Sequence, residues 1–222
     1  MTPVPFAPAA VLFDMDGLLI ESERALLQCW QEAARALQLT QVDDALWLSF
    51  VGLSEHACNE LLHQRLEAAQ VQALLSEAQL RYDAHVDAGL PLKPGVSELL
   101  ALLERHDLPR AVVTSTQRER ALQKLTRCSL LPRFHAVVTG SDVARPKPAP
   151  DLYLLAAQTL GVAPPACVVL EDSVPGVRAA LAAGMTPIQV PDLVIPDAAA
   201  RALGHRIVDS LVQARTLIAA AL

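Results

Sequence analysis

Long apolar runs are missing from this sequence. Nowhere do about 18 residues follow one another without polar interruption, so no membrane-spanning helix is expected. Basic clusters are missing too: 18 Lys and Arg stand against 24 Asp and Glu, a formal net charge of -6. Nonspecific nucleic-acid binding draws its affinity from clustered cations that neutralise phosphates, and that source is absent. Cysteine is scarce. Cys29, Cys58, Cys128 and Cys167 show no C-x-x-C spacing, which excludes a zinc ribbon or a disulfide framework and suits a reducing compartment. The six histidines lack an H-E-x-x-H arrangement. The opening MTPVPFAPAAVLFD has prolines in place of a basic leader. Neither repeats nor low-complexity tracts occur. A soluble, cytoplasmic, monomeric protein with no membrane or nucleic-acid partner is expected.

What is present is a sizeable core, with 52% hydrophobic residues in 222. Five short Val-, Ile- and Leu-rich runs read as buried strands: Val11 to Phe13, Ala111 to Val113, Ala136 to Val138, Cys167 to Leu170 and Ile188 to Val190. Helical spacing appears between them, over Val96 to Leu103, over Leu152 to Leu160 behind an Asp151 N-cap, and over Val177 to Ala183 before Gly184. This alternation predicts an α/β fold with a doubly wound, mainly parallel, Rossmann-like sheet. Residues 18–90 differ. Leu26, Leu27, Trp30, Ala33, Ala34 and Leu37 follow a helical period, as do Leu61, Leu62, Leu66 and Ala69. We read 18–90 as an inserted α-helical cap and 1–17 with 91–222 as the α/β core, joined through a linker at Gly89, Pro91, Pro94 and Gly95.

The chemistry lies just past the end of each strand. The first ends in Asp14 and Asp16, the second in Thr114, Ser115 and Thr116, the third leads to TGSDVARPKPAPD, and the fourth ends in Glu171, Asp172 and Ser173. A parallel sheet brings all of these to its carboxyl edge, where open α/β sheets bind ligands. Asp14 and Asp16 project to the same side of extended chain. At about 4 Å and an effective dielectric of about 20 their repulsion is on the order of 4 kcal/mol, which points to a cation. Carboxylates, substrate phosphate and water describe a Mg²⁺ site. Hydroxyls and amides near Ser115 suit phosphoryl oxygens, and Lys147, between Pro146 and Pro148, supplies a fixed positive charge.

The segments DMDGLLIES, VVTST, RPKPAPDLY and VVLEDSVPGVRAA resemble, in order and spacing, the four motifs of the haloacid dehalogenase superfamily. Within it the chain is similar to the branch of β-phosphoglucomutases and sugar-phosphate phosphatases with a helical cap. The resemblance implies that Asp14 is a nucleophile carrying an aspartyl-phosphate and that Asp16 is the acid and base. It implies that Thr114 and Ser115 bind phosphoryl oxygens and that Lys147 orients the nucleophile. Mg²⁺ would be held by Asp14, the Asp16 carbonyl and Asp172, with Glu171 as a further ligand or one step behind.

Each residue also has a plainer reading. The two aspartates could be solvated, the 114–116 hydroxyls could cap the next helix, Lys147 could lie on the surface, and Glu171 could be structural. Asp142 and Arg145 fit either kind of role. The cap's leucine and tryptophan stripe reads as packing, with Trp47 and Phe50 candidates to face substrate.

The family template narrows the reaction. Dehalogenating members lack the second acid, and phosphonate hydrolases use a cap lysine, whereas no lysine precedes Lys93 here. β-Phosphoglucomutases carry an arginine after a G-x-S turn and a histidine ten residues past the second acid; this chain has Glu55 and Leu26. Residues 18–90 hold eleven acids and four arginines, a balance of -7, which disfavours a bisphosphate. The expectation is a Mg²⁺-dependent phosphatase of a small phosphorylated metabolite, a sugar phosphate. A β-phosphoglucomutase-type phosphomutase is the alternative, and a noncatalytic binding protein on the same fold a third reading.

Overall fold

The structure, a computed structural model, describes residues 4–50 and 55–222. From the first strand β1 (Ala10–Phe13) the chain enters four helices, α1 (Ser22–Ala36), α2 (Asp44–Phe50), α3 (Glu55–His63) and α4 (Ala68–Ala88). It then alternates: α5 (Val96–Arg105), β2 (Arg110–Val113), α6 (Arg118–Arg127), β3 (Ala136–Val138), α7 (Asp151–Leu160), β4 (Cys167–Glu171), α8 (Val174–Ala182) and β5 (Thr186–Gln189). The described chain closes with α9 (Ala198–Arg201), β6 (Arg206–Ile207) and α10 (Leu211–Ala219).

Six strands form one sheet in the order β3-β2-β1-β4-β5-β6, and every neighbouring pair is parallel. The α/β expectation holds, with one strand more than anticipated: β6 is two residues long and half-buried, too short and too polar to announce itself. Side chains of a strand alternate faces. Val11 and Phe13 join Leu99, Leu103, Leu125 and Leu217 on one side, while Ala10 and Leu12 join Leu152, Tyr153 and Ala179 on the other. Both faces are thereby covered, which is why the strands read as unbroken apolar runs.

The described residues of 18–90 are mostly helical, with a hydrophobic cluster of their own built on Ala33, Trp47, Phe50, Leu62 and Leu74. The periodicity through Leu61, Leu66 and Ala69 is not one helix: the chain breaks between His63 and Ala68, where Glu67 and Gln70 form a capping box that starts α4. The two connections to the sheet run side by side. Ile20 and Leu92 form an antiparallel bridge, the Glu21 N–H donates to the Pro91 carbonyl and the Lys93 N–H to that of Leu19. At the other end of α4, Tyr82, Val86 and Leu90 belong to the cluster under the sheet.

Candidate active site

β1 and β4 are hydrogen-bonded neighbours at the middle of the sheet, so the residues just beyond them meet at the carboxyl edge. Asp14, Asp16, Thr114, Ser115, Thr116, Lys147, Asp172 and Ser173 line one cavity of about 890 Å³ between the strand ends and the helices of 18–90. The backbone turns away immediately after Asp16 at Gly17, whose φ of +78° suits glycine and whose absent Cβ would come 2.6 Å from Asp172 Oδ2. Gly140, beyond β3, lies so close to the Ser115 carbonyl that any side chain there would displace it.

Lys147 is the hub of the buried charges. Its Nζ lies 2.5 Å from Asp14 Oδ1, 2.6 Å from Glu171 Oε1 and 2.9 Å from the Val113 carbonyl. One cation serves two carboxylates, and the two fare differently. Burial works against the charge of Glu171, yet Lys147 and two donors from Ser173, its N–H and its Oγ at 2.9 Å each, hold that carboxyl below its usual range. Asp14 has less help. Burial, with repulsion from Glu171 and Asp16 and only partial relief from Lys147, pushes it up to about 7. Asp172 is also driven well up, by burial and then by the charges of Glu171 and Asp14.

Asp16 is held from both sides. Lys124 Nζ lies 2.6 Å from Oδ1, and Thr116 Oγ1 donates to Oδ2 at 2.7 Å. Burial opposes its charge, but Lys124 and Thr116 keep the carboxyl below its ordinary value. Thr116 is placed in turn by its own N–H, which donates to Thr114 Oγ1 at 3.1 Å. These hydroxyls do not cap the next helix, since Gln117 stands at the start of α6. Asp151 is not an N-cap either: Pro150 occupies that position and the Asp151 carboxylate pairs with Arg145 at 2.9 Å. Asp142 closes a capping box with Thr139 and binds Arg118.

Of the residues expected from the sequence, all but Glu171 line the cavity. Glu171 is fully buried behind it, accepting from Lys147, Ser173 and, at 3.0 Å, the Tyr153 hydroxyl. Sequence reasoning passed over Lys124, Tyr153 and Glu23, a cavity-lining carboxylate pushed up by burial and by Asp192. Lys124 had a visible mark, a lysine on the buried stripe of α6 with Ala121 and Leu125.

Leu26, Leu27, Trp30, Trp47, Phe50 and Leu75 form the cavity's apolar wall, and the rings of Trp30 and Phe50 meet edge to face at 5.3 Å. Glu23 apart, the described acids of 18–90 do not line the cavity. Asp83 and Asp87 on α4 pair with Arg120 and Arg127 of α6, and Glu32 and Glu77 with Arg81. Among the described residues Lys147 is the one cation that lines the cavity.

The donors suit a small hard cation. Asp14 and Asp172 are repelling carboxylates on one cavity, beside an Asp192 Oδ2 that is buried with no hydrogen-bond partner. Among the described residues no three or more His, Cys, Asp and Glu side chains form a preformed cage. Magnesium needs none, since it takes one or two carboxylates and keeps its waters.

Comparison with known proteins fits this arrangement. Residues 11–190 match the family model of the haloacid dehalogenase-like hydrolases. The chain is 36% identical to hexitol phosphatase A of Escherichia coli K12 over 182 residues, covering 81% of each protein. It is 28% identical to β-phosphoglucomutase of Bacillus subtilis 168 over 189 residues, 82% of each. It also superposes on a haloacid dehalogenase family hydrolase of Deinococcus radiodurans, solved with bound phosphate and sodium, with a TM-score of 0.82 and 35% identity over 98% of this chain and 96% of that one. The chain belongs to the haloacid dehalogenase-like hydrolases. Within them it stands with the sugar-phosphate phosphatases and phosphomutases, as an enzyme of the phosphatase type.

Proposed function

We propose that the protein is a Mg²⁺-dependent phosphatase that hydrolyses a small sugar phosphate through an aspartyl-phosphate on Asp14. The observation that carries this reading is the pairing of a buried Asp14, bound to Lys147, with a clamped Asp16 on one cavity beside the 114–116 hydroxyls. An Asp14 oxygen attacks phosphorus in line as the bond to the leaving oxygen breaks, and Asp16, entering this step in its protonated form, gives that oxygen its proton, releasing the alcohol. Asp16 then takes a proton from water, which attacks the acyl phosphate and frees inorganic phosphate and Asp14. Thr114 and the Ser115 amide hold phosphoryl oxygens, and Lys147 orients Asp14 and balances charge. Asp14, the Asp16 carbonyl and Asp172 would hold Mg²⁺, whose contribution is to neutralise charge between carboxylates and phosphate. Glu171 then serves to position Lys147.

A phosphomutase must grip a second phosphate. Leu26 lines the cavity where the mutases have histidine, and among the described residues no cation of 18–90 reaches it. The stretch containing VGLS and the Glu55 side chain lies outside the described residues. A phosphate-release screen over sugar and polyol phosphates with Mg²⁺ tests the reading: free phosphate is expected from a monophosphate, and conversion of a hexose 1-phosphate to its isomer without release would establish the mutase.

A further inference from the structure

Lys124 takes no part in the proposed phosphoryl transfer and has no packing reason to be charged. It occupies the buried face of α6, between Ala121 and Leu125, with 7% of its side chain exposed. Arg120 and Arg127, on the same helix, turn to the acids of α4. Lys124 instead reaches back to Asp16, and the Tyr82 ring of α4 covers its Nζ at 5.4 Å from the centroid. Thr116 takes the other oxygen of the same carboxylate. Two donors on two oxygens fix the plane of the carboxyl group as well as its position.

We propose that Lys124 is a positioning residue for this reaction, holding the Asp16 carboxyl where its oxygen can meet the leaving oxygen of the substrate. The proposal rests on the reading of Asp16 as the proton donor. The alternative is that Lys124 merely neutralises a buried acid. The two differ in how they depend on the leaving group. A misplaced acid harms esters whose leaving oxygen needs a proton and spares those whose leaving group carries its charge unaided, whereas a loosened fold harms both alike.

Phenyl phosphate and p-nitrophenyl phosphate make the comparison, because they share a shape and only the nitro group delocalises the departing charge. The readout is the ratio of kcat/KM for p-nitrophenyl phosphate to that for phenyl phosphate, measured with Mg²⁺ for the wild type, Lys124→Met, Lys124→Arg and Asp16→Asn. Acid catalysis contributes roughly 10²- to 10⁴-fold, of which a phenol leaving group recovers part. The ratio should rise about tenfold or more in Asp16→Asn and Lys124→Met, and Lys124→Arg should bring it back toward the wild-type value. A ratio that rises in Asp16→Asn but not in Lys124→Met, or Lys124→Met losses that are equal for both esters, would overturn the positioning role. A ratio unmoved in Asp16→Asn would overturn the acid itself, and the proposal with it.

Discussion

Lys147 Nζ lies 2.5 Å from Asp14 Oδ1, and the same ammonium lies 2.6 Å from the fully buried Glu171. Removing one partner of a buried ion pair leaves its fellow charged and unsolvated, a loss of about 3 to 5 kcal/mol. Lys147→Met should therefore abolish phosphate release and also lower stability by about that amount, since two carboxylates lose their shared cation. Urea denaturation checks the second half. A variant as stable as the wild type would show that the two carboxylates do not depend on this cation for their charge.

Gly176 adjoins the Glu171 carboxylate so closely that a Cβ would occupy the space of Oε1. Gly→Ala inside a helix ordinarily stabilises by about 1 kcal/mol. Here the sign should reverse: Gly176→Ala is expected to lose about 1 to 3 kcal/mol by overpacking, and activity as Glu171 and Lys147 shift. Thermal unfolding with a phosphate-release assay decides it.

Burial first, then repulsion, raises Asp14 to about 7, so below that pH the metal-free fold favours its neutral form. The stability gained by protonation is present at low pH and lost as pH rises through about 7. Mg²⁺ requires the ionised carboxylate and competes with that proton. Below about 7 each pH unit should weaken Mg²⁺ binding about tenfold, or about 1.4 kcal/mol of ligand-linked stability. Melting curves at pH 6, 7 and 8 should show a Mg²⁺-induced rise in Tm that grows with pH. An equal rise at all three contradicts the assignment of Asp14 to the metal.

Trp30 contributes to the apolar wall and holds Phe50 edge to face at 5.3 Å. An aromatic contact of this kind is worth about 0.5 to 1.5 kcal/mol. Trp30→Ala should raise KM for the best sugar phosphate by roughly 3- to 10-fold while kcat changes little, because on the proposed reading the apolar wall receives the leaving group and the catalytic carboxylates receive phosphorus. A fall in kcat at constant KM would place the ring's influence on the chemical step.

The sheet was legible because parallel strands covered on both faces leave continuous apolar runs, and the sequence motifs sit where such strands end. β6 was not, because two half-buried residues with an arginine carry no period. The break between α3 and α4 was hidden because Leu66 falls in helical register with both sides of it. Asp14, Asp16, Thr114, Ser115, Lys147 and Asp172 converge on one cavity as their strand-end positions required. Lys124 and Tyr82 come from a helix after β2 and from α4, and only the packing of those helices joins them to Asp16. Where the charge of 18–90 lies was hidden for the same reason. A tally of acids does not reveal that Asp83 and Asp87 are taken up by α6.

The central claim is that Asp14 carries the phosphoryl group and Asp16 sends it on to water. Asp16→Asn with p-nitrophenyl phosphate and Mg²⁺ separates the two halves, since this ester needs little acid to leave but the acyl phosphate still needs a base. Mass spectrometry of the acid-quenched variant should find one phosphoryl group on the peptide containing Asp14, with a stoichiometric burst of p-nitrophenolate and slow release of phosphate. Steady phosphate release from Asp16→Asn with no phosphorylated Asp14, or unchanged release when Asp14→Asn is added, would contradict the account.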